Sequence, residues 1–158
     1  MAEKDITIVL VDDEEMVLTS IRSFLAIETD YKVLSFTSPI KALQQIERNA
    51  IDLAISDYLM PDMDGITFLG KVKQLYPHAP RILLTGYADK ENAIKAINDV
   101  GLYQYIEKPW NNDDLQLIIR NGLEKTLLLR QLQEKIHEVE KAQNDLTEIQ
   151  KRILKIFA

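Results

Sequence analysis

Five short apolar runs punctuate the first 110 residues, at 5–11, 32–36, 51–56, 80–84 and 103–106. Each has the length and the aliphatic content of a buried strand, as in Ile6-Thr7-Ile8-Val9-Leu10-Val11. Between them the pattern changes period. Val17, Leu18, Ile21, Phe24 and Leu25 recur at helical spacing within 14–27, and further amphipathic helices are predicted over 39–49, 65–76 and 90–99. Ser38-Pro39 supplies a cap and a first-turn proline for the second helix, and Pro77 and Pro80 close the third. Strands that alternate with helices pair in parallel through right-handed crossovers. The predicted fold class is therefore α/β, a doubly wound five-stranded parallel sheet.

From about Asn112 the texture becomes helical to the end, with Asn112, Asp113 and Asp114 as an acidic start favoured by the helix dipole. After Gly122 there is neither glycine nor proline. Leu129, Leu132, Ile136, Val139, Leu146 and Ile153 fall three and four apart, a heptad seam that places Gln143 and Gln150 at core positions. A second frame runs through Ala142, Leu146, Ile149, Ile153 and Ile156 and needs a stammer near Ala142. The expected organisation is a first domain over 1–122 and an extended C-terminal helix over 123–158. That helix pairs as a coiled coil, the favoured reading, packs on a partner outside this chain, or stands as a solvated linker.

Composition narrows the chemistry. The chain has 158 residues and no cysteine, so disulfides, thiolate metal sites and cysteine nucleophiles are excluded. No apolar stretch has the length of a membrane span, and Met1-Ala2-Glu3-Lys4-Asp5 is not a signal sequence. These features lead to the expectation of a cytoplasmic protein with no membrane partner. The net charge of −6 is uneven. Residues 1–123 carry 12 Lys+Arg against 19 Asp+Glu, net −7; residues 124–158 carry 7 against 6, net +1. Neither part resembles a basic nucleic-acid surface. His78 and His137 stand alone and read as surface residues.

The candidate chemistry lies at strand ends. Asp12 and Asp13 follow the first strand, Asp57 the third, Thr85 the fourth and Lys108 the fifth. In a doubly wound sheet these tips share one edge, where such folds bind ligands. Three carboxylates at two tips call for a hard cation, Mg2+ (or Mn2+). Asp57 can attack phosphorus as a carboxylate nucleophile. A metal held by Asp13 and Asp57, with Asp12 acting through water, would neutralise the attacked group. Lys108 would meet a second phosphoryl oxygen and Thr85 would donate to the third.

These residues resemble the receiver domain of bacterial two-component response regulators. The match consists of Asp12-Asp13, the run from Asp57 through Met60-Pro61-Asp62-Met63-Asp64-Gly65, the pair Thr85-Gly86 and Lys108-Pro109. The resemblance covers residue 5 to about 122. It implies a flavodoxin-like sheet of strand order 2-1-3-4-5. Asp57 would be the phosphoacceptor, charged by a histidine kinase or a phosphotransfer protein, and the backbone carbonyl of Leu59 would be a further metal ligand. Thr85 and Tyr105 match the family's switch pair. The blander role for Tyr105 is an edge-strand aromatic that packs. Leu59 and Tyr87 are expected to hinder the attacking water and lengthen the phosphoryl lifetime. Trp110 reads as a packing residue at the start of the last helix, with a contact role as the alternative.

In this reading the final helix leaves the receiver without a flexible linker, and a homodimer through the seam transmits phosphorylation to an output. The apolar end, Ile153-Leu154-Lys155-Ile156-Phe157, looks like a helix cut before a further domain; the alternative is a frayed terminus. Analogy suggests an enzymatic output rather than direct DNA binding. Two other functions compete. An inert receiver could serve a coiled-coil scaffold. A haloacid-dehalogenase-type phosphatase would also use a strand-tip Asp, but it needs a second Asp where Leu59 stands.

Overall fold

The computed structural model describes residues 6–157. Its elements are β1 (Thr7–Val11), α1 (Glu15–Glu28), β2 (Lys32–Phe36), α2 (Pro39–Arg48), β3 (Leu53–Asp57), α3 (Gly65–Leu75), β4 (Arg81–Thr85), α4 (Lys90–Asp99), β5 (Gln104–Glu107) and α5 (Asn112–Phe157). A single 3-10 turn, Tyr87–Asp89, precedes α4 and was not anticipated from the sequence. Asp5, the first residue of the first predicted strand, lies outside the described residues.

The five strands form one parallel sheet in the order β2-β1-β3-β4-β5, as expected. Residues alternate between its faces. Val9, Val11, Ala54 and Leu83 join one core with Ala42 and Ile46 of α2, Phe68, Leu69 and Val72 of α3, and Ala93 and Ala96 of α4. Their strand neighbours Ile8, Leu10, Ile55, Ile82 and Leu84 are equally buried on the other face. Leu18, Ile21 and Leu25 of α1 and Leu115, Ile119 and Leu123 of α5 supply further buried helix residues. β3 and β4 are buried along their whole length, whereas β2 at the edge is only partly covered. That gradient explains why the central strands read as unbroken aliphatic runs.

Local chemistry sets the element ends. Ser38 Oγ accepts from the Lys41 amide at 3.3 Å, with Pro39 in the first turn of α2. Asp64 Oδ1 accepts from the Thr67 amide at 2.7 Å and starts α3. At α5 the capping side chain is Asn111, one residue before the expected acidic start. Its Oδ1 accepts from the amides of Asp113 at 2.8 Å and Asp114 at 3.2 Å.

The chain divides into two compact units, one ending at Thr126 and the other beginning at Leu127. The break falls four residues beyond the expected boundary at 122. Gly122 and Leu123 are buried and hold the next turn of α5 to the first unit. The second unit is helical from Leu127 to Phe157, with every residue from Gln131 to Phe157 exposed.

Candidate functional site

Parallel pairing brings the C-terminal ends of the strands to one edge, and backbone hydrogen bonds lock them there. The Asp12 amide donates to Phe36 O at 3.2 Å, Tyr58 to Leu84 O at 3.0 Å, and Lys108 to Thr85 O at 2.9 Å. Asp57 and Thr85 are the last residues of β3 and β4, while Asp12 and Lys108 directly follow β1 and β5. Asp57, Asp12, Asp13, Thr85 and Lys108, predicted at separate strand tips, therefore share one edge.

Lys108 Nζ sits between two carboxylates, 3.0 Å from Asp12 Oδ2 and 3.0 Å from Asp57 Oδ1. Asp12 is fully buried and Asp57 nearly so, whereas Asp13 is exposed. Burial pushes both buried carboxyls above the ordinary aspartate range. Lys108 holds them down only in part, as do the backbone amide of Glu14 on Asp12 and that of Tyr58 on Asp57. Burial acts on the Lys108 ammonium in the opposite sense, but its bonds to Asp57 and Asp12 win and its pKa is raised.

Asp12, Asp13 and Asp57 each offer an oxygen, and these atoms lie within 4.8 Å of one another. All are hard oxygen donors, and two of them pay for burial of charge. The set therefore fits a small divalent cation such as Mg2+. Leu59, two residues after Asp57, has a side chain 60% exposed. The side chain of Tyr87 lies outside the described residues.

Thr85 is buried, and its hydroxyl donates to Gly86 O at 3.2 Å. Tyr105 lies across from Leu83, two positions before Glu107 meets Thr85 in the ladder, and is half-buried against the α2-α3-α4 core. Trp110 is half-buried, and its indole N–H donates to Asn112 Oδ1 at 3.0 Å.

The loop after Asp57 imposes a requirement that the sequence motif alone did not explain. Gly65 N donates to Tyr58 O at 2.7 Å, and a Cβ at Gly65 would lie 1.9 Å from the carbonyl oxygen of Asp57. Only glycine fits there. Asp62 takes a left-handed conformation, φ 72°, which a short polar side chain tolerates. Glu107 was also missed. Its Oε1 is buried with no hydrogen-bond partner, directly beside Lys108 in the chain, and nothing in the sequence distinguished it from other charged residues.

Away from the sheet edge, Leu129, Leu132, Ile136, Val139, Leu146 and Ile153 are 40–56% exposed on α5. Among the described residues no helix is long and apolar enough to cross a membrane.

The family model of the response regulator receiver domain matches residues 8–120. The hydrogenase transcriptional regulatory protein HoxA of Cupriavidus necator is 34% identical over 124 residues, covering 78% of this chain and 25% of HoxA. The transcriptional regulatory protein ZraR of Escherichia coli is 32% identical over 126 residues, covering 80% of this chain and 28% of ZraR. The chain thus spans little more than a quarter of these relatives. Among solved structures, a response regulator receiver domain protein from Clostridium thermocellum aligns with a TM-score of 0.73 at 34% identity, over 78% of this chain and 98% of that one. The signal receiver domain of an HD domain-containing protein from Pseudomonas fluorescens aligns with a TM-score of 0.73 at 36% identity, over 80% of this chain and 92% of that one.

Proposed function

Because the chain belongs to the response regulator receiver family, we propose that Asp57 is the residue that takes the phosphoryl group and that α5 carries the resulting change to an output. Receiver domains of this family are signalling phosphoacceptors rather than enzymes in the usual sense. The observation that supports the assignment most directly is the place of Asp57. It ends the wholly buried central strand and faces a lysine ammonium at 3.0 Å, with two further carboxylates within metal-binding reach.

In the proposed reaction an Asp57 oxygen attacks the phosphorus of a phosphohistidine on a histidine kinase or phosphotransfer protein. The P–O bond forms as the P–N bond breaks. The bonding pair stays with the ring nitrogen, and an imidazole protonated on its other nitrogen leaves neutral. Mg2+ (or Mn2+) held by Asp13, Asp57 and the carbonyl of Leu59, with Asp12 through water, would supply positive charge against the transferred group. Lys108 gives up its contact with Asp57 and meets a phosphoryl oxygen. The Thr85 hydroxyl, which donates to Gly86 O in this structure, turns to another. Its movement leaves room for the half-buried Tyr105 ring to turn inward and alters the surface of α4, β5 and α5.

Leu59 stands where a polar residue could hold a hydrolytic water, so Leu59→Asn is expected to speed loss of the phosphoryl group severalfold. An unchanged or slower decay would remove that role.

We further place this receiver in the cytoplasm, as a homodimer paired through the seam of α5, with no nucleic acid bound by the segment itself. The relatives' names speak of transcriptional regulation, so any output belongs to regions that this chain does not share with them.

The direct test is incubation with a small phosphodonor and Mg2+. Wild type should gain one base-labile phosphate and Asp57→Asn none. Equal labelling of both would overturn the assignment.

A further inference from the structure

We propose that residues 127–157 pair with the same segment of a second copy as a parallel, in-register, two-stranded coiled coil. This rests on the reading above that the seam of α5 makes a dimer, and it adds the sense and register of the pairing. The segment is one uninterrupted helix with its seam open to solvent. With Leu129 at heptad position a, position a is filled by Leu129, Ile136, Gln143, Gln150 and Phe157, and position d by Leu132, Val139, Leu146 and Ile153.

Two features choose the direction. The first is the pair of glutamines. In a parallel pair each a residue meets its own copy, so Gln143 faces the partner's Gln143 and Gln150 the partner's Gln150. Each amide then finds an amide to bond, and a slip of one heptad keeps only one mixed layer, Gln143 against the partner's Gln150, while stranding the other two amides against Ile136 and Phe157. In the fully overlapped antiparallel arrangement a faces d. Gln143 would lie against the partner's Val139 and Gln150 against the partner's Leu132. Both amides would be desolvated without a partner, which is costly.

The flanking positions give the second. In the parallel pair each g residue meets the e residue five places on in the partner. Lys135 then meets the partner's Glu140, twice by symmetry, and Ile149 meets the partner's Leu154. Leu128 and Ala142 face the partner's Gln133 and Thr147, so no like charges oppose. The antiparallel arrangement sets Glu140 against the partner's Glu140 at the centre and leaves Lys135 against the partner's Ile149. In the single helix Lys135 Nζ reaches Glu138 Oε2 at 3.4 Å, an exposed contact of little worth that Lys135 gives up at small cost. Charge and amide pairing thus select the same direction.

The absence of native cysteine makes the test clean. Single variants Gln143→Cys, Gln150→Cys and Ala142→Cys are made in the full chain, with outward-facing Lys141→Cys as control, and oxidised mildly. The proposal expects same-residue disulfides at Gln143→Cys and Gln150→Cys at least about tenfold faster than at Lys141→Cys, because only facing seam positions satisfy disulfide geometry. Mixed and re-annealed Leu129→Cys and Ile153→Cys chains should form no mixed disulfide. A mixed disulfide between 129 and 153 would overturn the parallel sense while leaving the dimer intact. Faster cross-linking at Ala142→Cys than at Gln143→Cys would overturn the continuous heptad in favour of the stammered seam. A monomeric mass by light scattering of the unmodified chain, at the concentrations used for oxidation, would overturn the dimer itself.

Discussion

Asp57 and Asp12 sit where their charge is expensive, and the cost sets a pH dependence. Burial raises both carboxyls above the ordinary value of 3.8, so the folded state prefers them protonated. The stabilisation this brings is complete below the unfolded pKa and is lost as pH rises through the raised folded pKa. At neutral pH the two charges therefore work against the fold, with Lys108 compensating only in part. Asp57→Asn should unfold later than wild type at pH 7, by about 1 kcal/mol in urea, and the gap should close as the pH falls toward about 4. A gap that widens on acidification would show the opposite sign of linkage. Mg2+ should stabilise wild type by offsetting the same charges, and Asp13→Asn should weaken that gain. The residue-scale counterpart in the backbone is Gly65. Gly65→Ala drives a methyl into the Asp57 carbonyl and should cost about 3 kcal/mol or more by denaturant titration. The motif was visible in the sequence, but this reason for its glycine was not, because it depends on how the loop folds back over β3. Arg81 makes the same point at the other end of the sheet. In the sequence it falls within the apolar run at 80–84, with nothing to mark it out. In the fold it is buried and donates to Pro77 O, Ala79 O and Gly101 O, tying two loops together.

At the scale of elements, the strands and helices follow from periodicity, and their boundaries moved by a residue or two. Two of the shifts share a cause. Asp57 and Thr85 were expected just after their strands and instead close them, because ladder bonds from Tyr58 and Lys108 extend the pairing past the last aliphatic residue. The start of α5 also depended on a side chain that hydrophobic pattern does not register, the Asn111 cap. The later part of α5 is amphipathic without a partner, and its stability as a single helix should be modest in water. Glu140→Lys should weaken self-association by placing Lys135 against a second ammonium, and Lys135→Glu combined with Glu140→Lys should restore it. Sedimentation equilibrium of the three chains checks this. Equal association constants for all three would remove the charge pairing from the account of the dimer.

For the molecule as a whole, the division at Thr126 and Leu127 makes a prediction about independence. The segment 1–126 contains all of the sheet-edge site and, among the described residues, every residue of the buried core. It should fold cooperatively, take a phosphoryl group on Asp57 and sediment as a monomer. Failure of 1–126 to fold would mean that the remainder of α5 contributes to the core, and a dimer of 1–126 would move the interface away from the seam. The sequence by itself determined the alternation of strands and helices, the parallel sheet and the acidic, hydroxyl and lysine residues at its strand ends. Local period, turn residues and the rule that parallel strands point the same way suffice for those. Only the tertiary structure decided that Lys108 bridges Asp12 and Asp57, that Gly65 must lack a side chain, that Arg81 is a buried tie and that Glu107 hides an unpaired oxygen. These are contacts between segments far apart in the chain. Their distances depend on strand register and loop path, which a one-dimensional pattern of apolar and polar residues does not contain.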